Sequence, residues 1–152
     1  MTEPTYIYGV TTAADRGTIK TLERSWPDIV DLFRTPARRK ITSAVYAAMS
    51  PKDRAASKNT GLFFGGDCRV NDKGVLHRGS DDLVSRSIVN LDLDNDCSDI
   101  WDEFQLNGEL AAFEGMAYLI HSTRSSTPEQ PKFRILIPLR KAVSPAEYEP
   151  VA

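Results

Sequence analysis

Cysteine is scarce in this sequence, and the two that occur are not spaced for a metal site. Cys68 and Cys97 form no CxxC pair and match no paired-histidine spacing. Neither a structural zinc site nor a disulfide scaffold is therefore indicated. The simplest interpretation is a reduced intracellular protein.

Long apolar runs and an excess of charge of one sign are also missing. The opening residues MTEPTYIYGV lack the basic and apolar regions of a secretion signal. No stretch approaches the roughly 20 apolar residues that a membrane helix needs, so no membrane partner is predicted. With 19 Lys and Arg against 21 Asp and Glu, the formal net charge is −2. A nucleic-acid partner thus has to be inferred from local features, because no overall positive field points to one.

The rest of the composition is that of an ordinary globular protein. Hydrophobic residues make up 41% and charged residues 26% of the 152 residues. A chain of this length and hydrophobic content can bury a core without disulfide bonds or a structural metal. Charge is nonetheless uneven, since seven of the eight charged residues in 34–58 are basic and ten of the eleven in 81–114 are acidic. The basic stretch is either a set of solvated helix faces or a surface that contacts phosphates.

The order of predicted elements indicates an α+β fold with two lobes. Residues 1–80 read as an N-terminal α/β lobe that carries the basic helical stretch. Residues 81–152 read as strand, helix, strand, strand and helix, at 86–94, 100–111, 116–122, 132–139 and from 144 onward. This is the start of the split βαβ pattern of ferredoxin-like and RNA-recognition-motif-like folds, without its last strand. We therefore expect the chain to be the front part of a longer protein.

Two acids are the strongest candidates for chemistry. Asp92 and Asp94 lie two positions apart on the first of these strands, so both carboxylates should project from one face. A divalent cation would relieve their mutual repulsion, although a solvated strand end explains the same pattern. An EF-hand calcium loop is disfavoured because its sixth position, Cys97, should be glycine and because a strand precedes it.

A second polar cluster covers residues 121–134. A hydroxyl-rich loop runs into a strand that carries Lys132 and Arg134 on one face. Such a set can hold a triphosphate, or it can be a simple polar hairpin. The first and third strands of a split βαβ sheet are adjacent, which would bring these cations close to the acid pair. His121 alternates with apolar residues, which is typical of a structural, partly buried histidine.

In combination these segments resemble the primase-polymerase domains of the archaeo-eukaryotic primase superfamily, as in phage, prophage and plasmid replication primase-helicases. The resemblance is carried by RSIVNLDLD at 86–94, YLIHSTRSSTP at 118–128, PKFRILIPL at 131–139 and Glu147-Tyr148. It implies an archaeo-eukaryotic primase-like core and template-directed nucleotide addition with Mg²⁺ or Mn²⁺. Asp92 and Asp94 stand at the catalytic, metal-binding positions. The expected nucleotide-binding residues are Ser122, Arg124, Ser126 and Arg134.

The sequence departs from this family at two places. The family usually has a histidine where Ser126 stands, and its third metal carboxylate would fall beyond Ala152. The chain alone is therefore expected to lack a complete catalytic site, so it remains open whether it acts as an enzyme by itself.

The resemblance also implies partners and a location. Nucleoside triphosphates, a single-stranded or primed DNA template and a helicase domain in the same longer protein are expected, in the cytoplasm of a bacterial host. The basic residues that we expect to contact template phosphates are Arg38, Arg39, Lys40 and Lys58. Two alternatives stay open. One is a non-catalytic nucleic-acid-binding or interaction domain derived from the same fold, and the other is a phosphodiesterase or nuclease that also uses two metal ions.

Overall fold

The α+β class is confirmed by a computed structural model of the chain. The structure describes residues 3–11, 19–35, 41–57, 62–70, 82–93, 113–127 and 130–148. Its strands are β1 Thr5–Thr11, β2 Lys20–Ser25, β3 Leu62–Phe64, β4 Gly66–Cys68, β5 Leu83–Leu93, β6 Leu119–Ser122 and β7 Phe133–Val143. Its helices are α1 Trp26–Arg34, α2 Ser43–Ala48, α3 Pro51–Ser57 and α4 Pro145–Tyr148. The helix predicted at 100–111 lies outside the described residues.

The chain divides into two compact units. One comprises Met1–Ile88 with Leu139–Ala152, and the other comprises Val89–Pro138. The strands form two sheets, a three-stranded one with the order β2-β1-β3 and a four-stranded one with the order β4-β5-β7-β6. In the part of the chain that the structure describes, no helix is long and apolar enough to cross a membrane.

An aromatic cluster packs α1 against the three-stranded sheet of the first unit. The ring of Tyr8, which is fully buried, stacks on Phe63 with 5.2 Å between ring centroids. Phe33 of α1 meets Phe63 edge-on at 5.4 Å, and Ile29 is the buried residue of the same helix. Such aromatic pairs contribute about 0.5–1.5 kcal/mol each beyond their buried area. The cluster therefore fixes α1 against the three-stranded sheet.

Serine side chains cap the starts of α1, α3 and α4. The Ser25 hydroxyl oxygen accepts the N–H of Asp28 at 3.3 Å, and the Ser50 oxygen accepts the N–H of Asp53 at 3.2 Å. At α4, the Ser144 N–H donates to Glu147 Oε2 at 2.7 Å, while the Glu147 N–H donates back to the Ser144 oxygen at 3.4 Å. Ser144 and Glu147 thus form a capping box, in which each residue satisfies an N–H of the other. The hydrogen bonds that the Ser144 N–H and hydroxyl donate to the Glu147 carboxylate lower the pKa of Glu147.

Two glycines, Gly65 between β3 and β4 and Gly66 at the start of β4, lie very close to the backbone of β5. The Gly65 carbonyl accepts the N–H groups of both Ser87 and Ile88 at 3.0 Å. A Cβ on Gly65 would lie 2.4 Å from the Ile88 carbonyl oxygen, and one on Gly66 would lie 2.1 Å from that of Ser85. Only residues without a side chain fit at this separation. The glycine pair therefore sets how closely this segment packs on β5.

The second half of the sheet has the predicted strand neighbours. β5 lies beside β7, which confirms the expected adjacency of the first and third strands of the second half. β6 pairs antiparallel with β7, and the register places Leu119 opposite Leu136 and His121 opposite Arg134. β6 begins at Leu119 and not at 116 as predicted, because residues 116–118 have no strand partner in this register. This pairing fixes which side chains share a face.

Candidate functional site

Three polar side chains lie side by side on one face of the second unit, and we call them the polar row. They are Asp92 near the end of β5, Arg134 near the start of β7 and His121 in β6. The row crosses three neighbouring strands in the order β5-β7-β6. Each strand therefore presents one ionisable group to the same surface.

Asp92 and Arg134 form a two-point ion pair. Arg134 donates from Nε to Oδ1 of Asp92 and from Nη2 to Oδ2, the latter at 2.9 Å. The Arg134 side chain is 31% exposed and that of Asp92 is 48% exposed, so solvent limits the stabilisation to about 1 kcal/mol or less. The pair orients the two groups more than it stabilises the fold. A guanidinium has five N–H donors, of which this contact uses two.

His121 faces Arg134 directly across the β6–β7 pairing. Its Nδ1 lies 3.0 Å from the carbonyl oxygen of Ser122. Since a carbonyl can only accept, Nδ1 carries the proton, and Nε2 carries the lone pair of the neutral ring. Burial lowers the pKa of His121, and the charge of Arg134 lowers it further, against raising effects of the Ser122 hydrogen bond and Asp92. The predicted partial burial is confirmed.

The hydroxyl-rich segment 123–127 is a turn held by its own hydrogen bonds. The Thr123 N–H donates to the Lys132 carbonyl at 2.8 Å, and the Ser126 N–H donates to the Thr123 carbonyl at 3.1 Å. The Ser126 hydroxyl oxygen accepts the Lys132 N–H at 3.0 Å. The side chain of Ser126 therefore closes the connection between β6 and β7, and it holds the register that brings His121 opposite Arg134.

The other predicted nucleotide-binding residues lie near the polar row in sequence. Ser122 ends β6 and is exposed, and its carbonyl orients the imidazole of His121. Arg124 is half-buried in the turn that follows. The structure therefore brings Asp92 and Arg134 into contact, whereas Ser122 lies opposite Phe133 in the β6–β7 register and its side chain projects from the other face of this hairpin.

The remaining predicted site residues lie outside the described residues. These are Asp94 and the basic residues Arg38, Arg39, Lys40 and Lys58. Their roles stay predictions.

Of the two predicted metal ligands, the structure describes Asp92. Asp92 is half-exposed, and each of its oxygens has a second lone pair beyond the one taken by Arg134. Arg134 would then orient the ligand from outside the coordination sphere, as hydrogen-bonded partners of metal ligands commonly do. Among the described residues, no group of three or more His, Cys, Asp or Glu side chains is placed to hold a metal. The metal therefore remains a prediction that depends on Asp94.

His121 is the member of the polar row that sequence reasoning did not place in the site. Its alternation with Leu119 indicated a strand position but not which residue of β7 it faces. That pairing depends on the length of the turn, which the contact of Ser126 with the Lys132 N–H closes. The signal that could have identified it is the hairpin register, counted outward from this closing contact.

The family model of the VapE N-terminal domain matches residues 7–152. No curated protein matches the chain, and no solved structure does so either.

Proposed function

Since the chain belongs to the VapE N-terminal domain family, which indicates a protein related to phage or plasmid replication, we propose that it is a primase-polymerase-type nucleotidyltransferase domain. The reaction is the attack of a primer 3′-hydroxyl, or of an initiating nucleotide, on the α-phosphorus of an incoming nucleoside triphosphate. A new phosphodiester bond forms, and pyrophosphate leaves. A DNA template directs which nucleotide is added.

The observation that carries this proposal is the contact of Asp92 with Arg134. An acid that can ligate Mg²⁺ or Mn²⁺ and a cation that can grip phosphate oxygens lie on adjacent strands of one face. Asp92, together with Asp94, would hold the metal, which would supply charge neutralisation and alignment of the phosphates. Arg134 would hold phosphate oxygens through the donors that Asp92 does not use, with Arg124 adding a contact from the turn after β6.

A binding assay and a primer-extension assay test this proposal together. Asp92→Asn and Asp94→Asn keep the side-chain size and remove the charge, so each should reduce Mn²⁺-dependent nucleotide addition by about 100-fold or more. Calorimetry should show the same loss in Mn²⁺-dependent dATP binding. Asp31→Asn is the matched control, because this exposed acid of α1 forms its ion pair with Arg34 of its own helix. Activity like that of the wild type in either site variant would refute the proposal.

A non-catalytic nucleic-acid-binding domain is the second candidate. It is favoured by the fact that both oxygens of Asp92 already contact Arg134, as in a purely structural ion pair. Calorimetry separates the two functions. Absence of metal-dependent dATP binding, with binding of single-stranded DNA preserved, would support this second candidate.

A further inference from the structure

Asn90 is a polar residue of β5 whose amide oxygen is buried without a partner. It belongs to the second unit and lies two positions before Asp92 on the same strand. Among the residues that the structure describes, none donates a hydrogen bond to its Oδ1 atom. A buried acceptor without a donor destabilises the folded chain, and an apolar residue of the same shape would not. The amide therefore calls for an explanation outside the fold of the free chain.

The position of Asn90 places its amide next to the candidate site. Side chains of a strand alternate between its two faces, so Asn90 projects from the same face as Asp92, which binds Arg134. Two residues of a strand span roughly 6.4–6.8 Å. Asn90 is half-buried, whereas Asp92 is 48% exposed. The amide thus lies on the inner side of Asp92, within reach of a ligand that binds there.

The amide of Asn90 can turn toward such a ligand. A half-turn about the terminal side-chain torsion exchanges Oδ1 with Nδ2, and both orientations are allowed for an amide. This rotation breaks no hydrogen bond of Oδ1, because that atom has none among the described residues. The ligand that satisfies Oδ1 has to supply a hydrogen-bond donor.

The sugar of the incoming nucleotide is the group that meets this requirement. Ionised phosphates offer only acceptors, and the hydrogen-bonding edge of the base pairs with the template in the proposed reaction. The sugar hydroxyls are the donors that remain, and the sugar is attached directly to the phosphates that Arg134 and the metal would hold. A site built to accept from a hydroxyl discriminates against analogues that lack it, because its acceptor is then left unpaired.

We propose that Asn90 binds a sugar hydroxyl of the incoming nucleoside triphosphate through Oδ1. The inference rests on the proposed function for the identity of the substrate, and it assigns Asn90 as the residue that distinguishes nucleotides by their sugar.

Four nucleotides test the proposal in calorimetry with Mg²⁺: ATP, 2′-deoxy-ATP, 3′-deoxy-ATP and 2′,3′-dideoxy-ATP. The wild type should bind ATP about tenfold more tightly than the dideoxy analogue, and the deoxy analogue that shares this loss identifies the hydroxyl. Asn90→Leu keeps the shape of the side chain and removes its polar atoms, so it should bind all four about equally. Gln130→Met, at an exposed amide of the same unit, is the control and should keep the order of the wild type.

A stability measurement on the same variants separates ligand binding from a structural role. Asn90→Leu removes the unpaired buried oxygen, so its midpoint of urea denaturation should be higher than that of the wild type. A lower midpoint would overturn the proposal, since the amide would then serve the fold. Equal affinities of the wild type for the four nucleotides would also overturn it. A uniform loss of affinity for all four in Asn90→Leu would do so as well, because the amide would then act on the phosphates or the metal.

The same measurements distinguish this inference from the proposed function. A sugar preference that disappears in Asn90→Leu, without nucleotide addition by the wild type, would refute the proposed function and support the inference. Nucleotide addition by a wild type that binds the four nucleotides equally would do the reverse. Absence of binding of all four nucleotides would overturn both.

Discussion

Arg134 contacts one member of the polar row and faces the other, so its charge acts on both neighbours. It binds Asp92 at two points, and it lies opposite His121 in the β6–β7 register. The pair with Asp92 is too exposed to contribute much stability. The charge of Arg134 is instead expected to affect the protonation of His121.

Replacement of Arg134 by glutamine should raise the pKa of His121. The pKa of His121 lies below its usual value of 6.5, first because of burial and also because Arg134 disfavours a second positive charge. Arg134→Gln removes that repulsion and leaves the raising effect of Asp92. An NMR titration of the imidazole Cε1 proton measures the change, and Arg140→Gln, at an exposed position of the same strand, is the control.

The lowered pKa of His121 makes the stability of the fold depend on pH. Because the folded-state pKa of His121 is lowered, its contribution to stability is fully present above pH 6.5 and is lost as the pH falls through the folded-state pKa. Arg134→Gln should raise the folded-state pKa of His121 toward its unfolded-state value, so this contribution to stability should be lost over a narrower pH range. A pKa of His121 that falls or stays constant in Arg134→Gln would contradict the placement of the two side chains.

At the scale of elements, the sequence predicts long strands and capped helices better than short edge strands. β5 and β7 have alternating apolar residues over many positions, and the serines before α1, α3 and α4 are local capping signals. β2 gives no strand pattern in the sequence, because it is a polar edge strand with no buried residue in Lys20–Ser25. β4 gives none because its three residues are too few for a periodic pattern. Both depend on partners distant in sequence, which local patterns do not reveal.

One part of the candidate site could be predicted from the sequence and another could not. The proximity of Asp92 and Arg134 could be predicted, because strand order in a split βαβ sheet is a property of the topology. The place of His121 could not, because it depends on the exact register of a hairpin. A shift of one residue would turn its side chain to the other face.

The close approach of Gly65 to β5 gives a prediction about the packing of elements. In Gly65→Ala the new Cβ would meet the backbone oxygen of Ile88, which cannot rotate away as a side chain could. The free energy of unfolding, from urea denaturation, should fall by about 2–3 kcal/mol. Gly115→Ala is the control. It has a positive φ of 77° but no atom within 4 Å of the new Cβ, so only backbone strain of about 1 kcal/mol is expected. A smaller loss at Gly65 than at Gly115 would contradict the observed separation.

At the scale of the whole molecule, the distribution of charge matters more than its sum. A net charge of −2 would not attract DNA by itself, yet the basic residues are concentrated in 34–58 and the acidic ones in 81–114. Binding of single-stranded DNA, if it serves the proposed function, must therefore use a local set of cations against an overall negative chain. Such binding is electrostatic and does not depend on the DNA sequence, and its affinity falls as the salt concentration rises.

Removal of the local cations should thus change the salt dependence as well as the affinity. A variant with Arg38, Arg39, Lys40 and Lys58 replaced by alanine should bind oligothymidylate more weakly. In fluorescence anisotropy, its slope of log affinity against log salt should be shallower by about 0.7 for each phosphate contact removed. Replacement of Lys20, Arg24, Arg140 and Lys141, which are exposed, causes the same change in net charge and should leave the slope near that of the wild type. Equal slopes for the two variants would mean that DNA responds to the total charge and not to the basic stretch, and the template would then have to bind elsewhere on the chain.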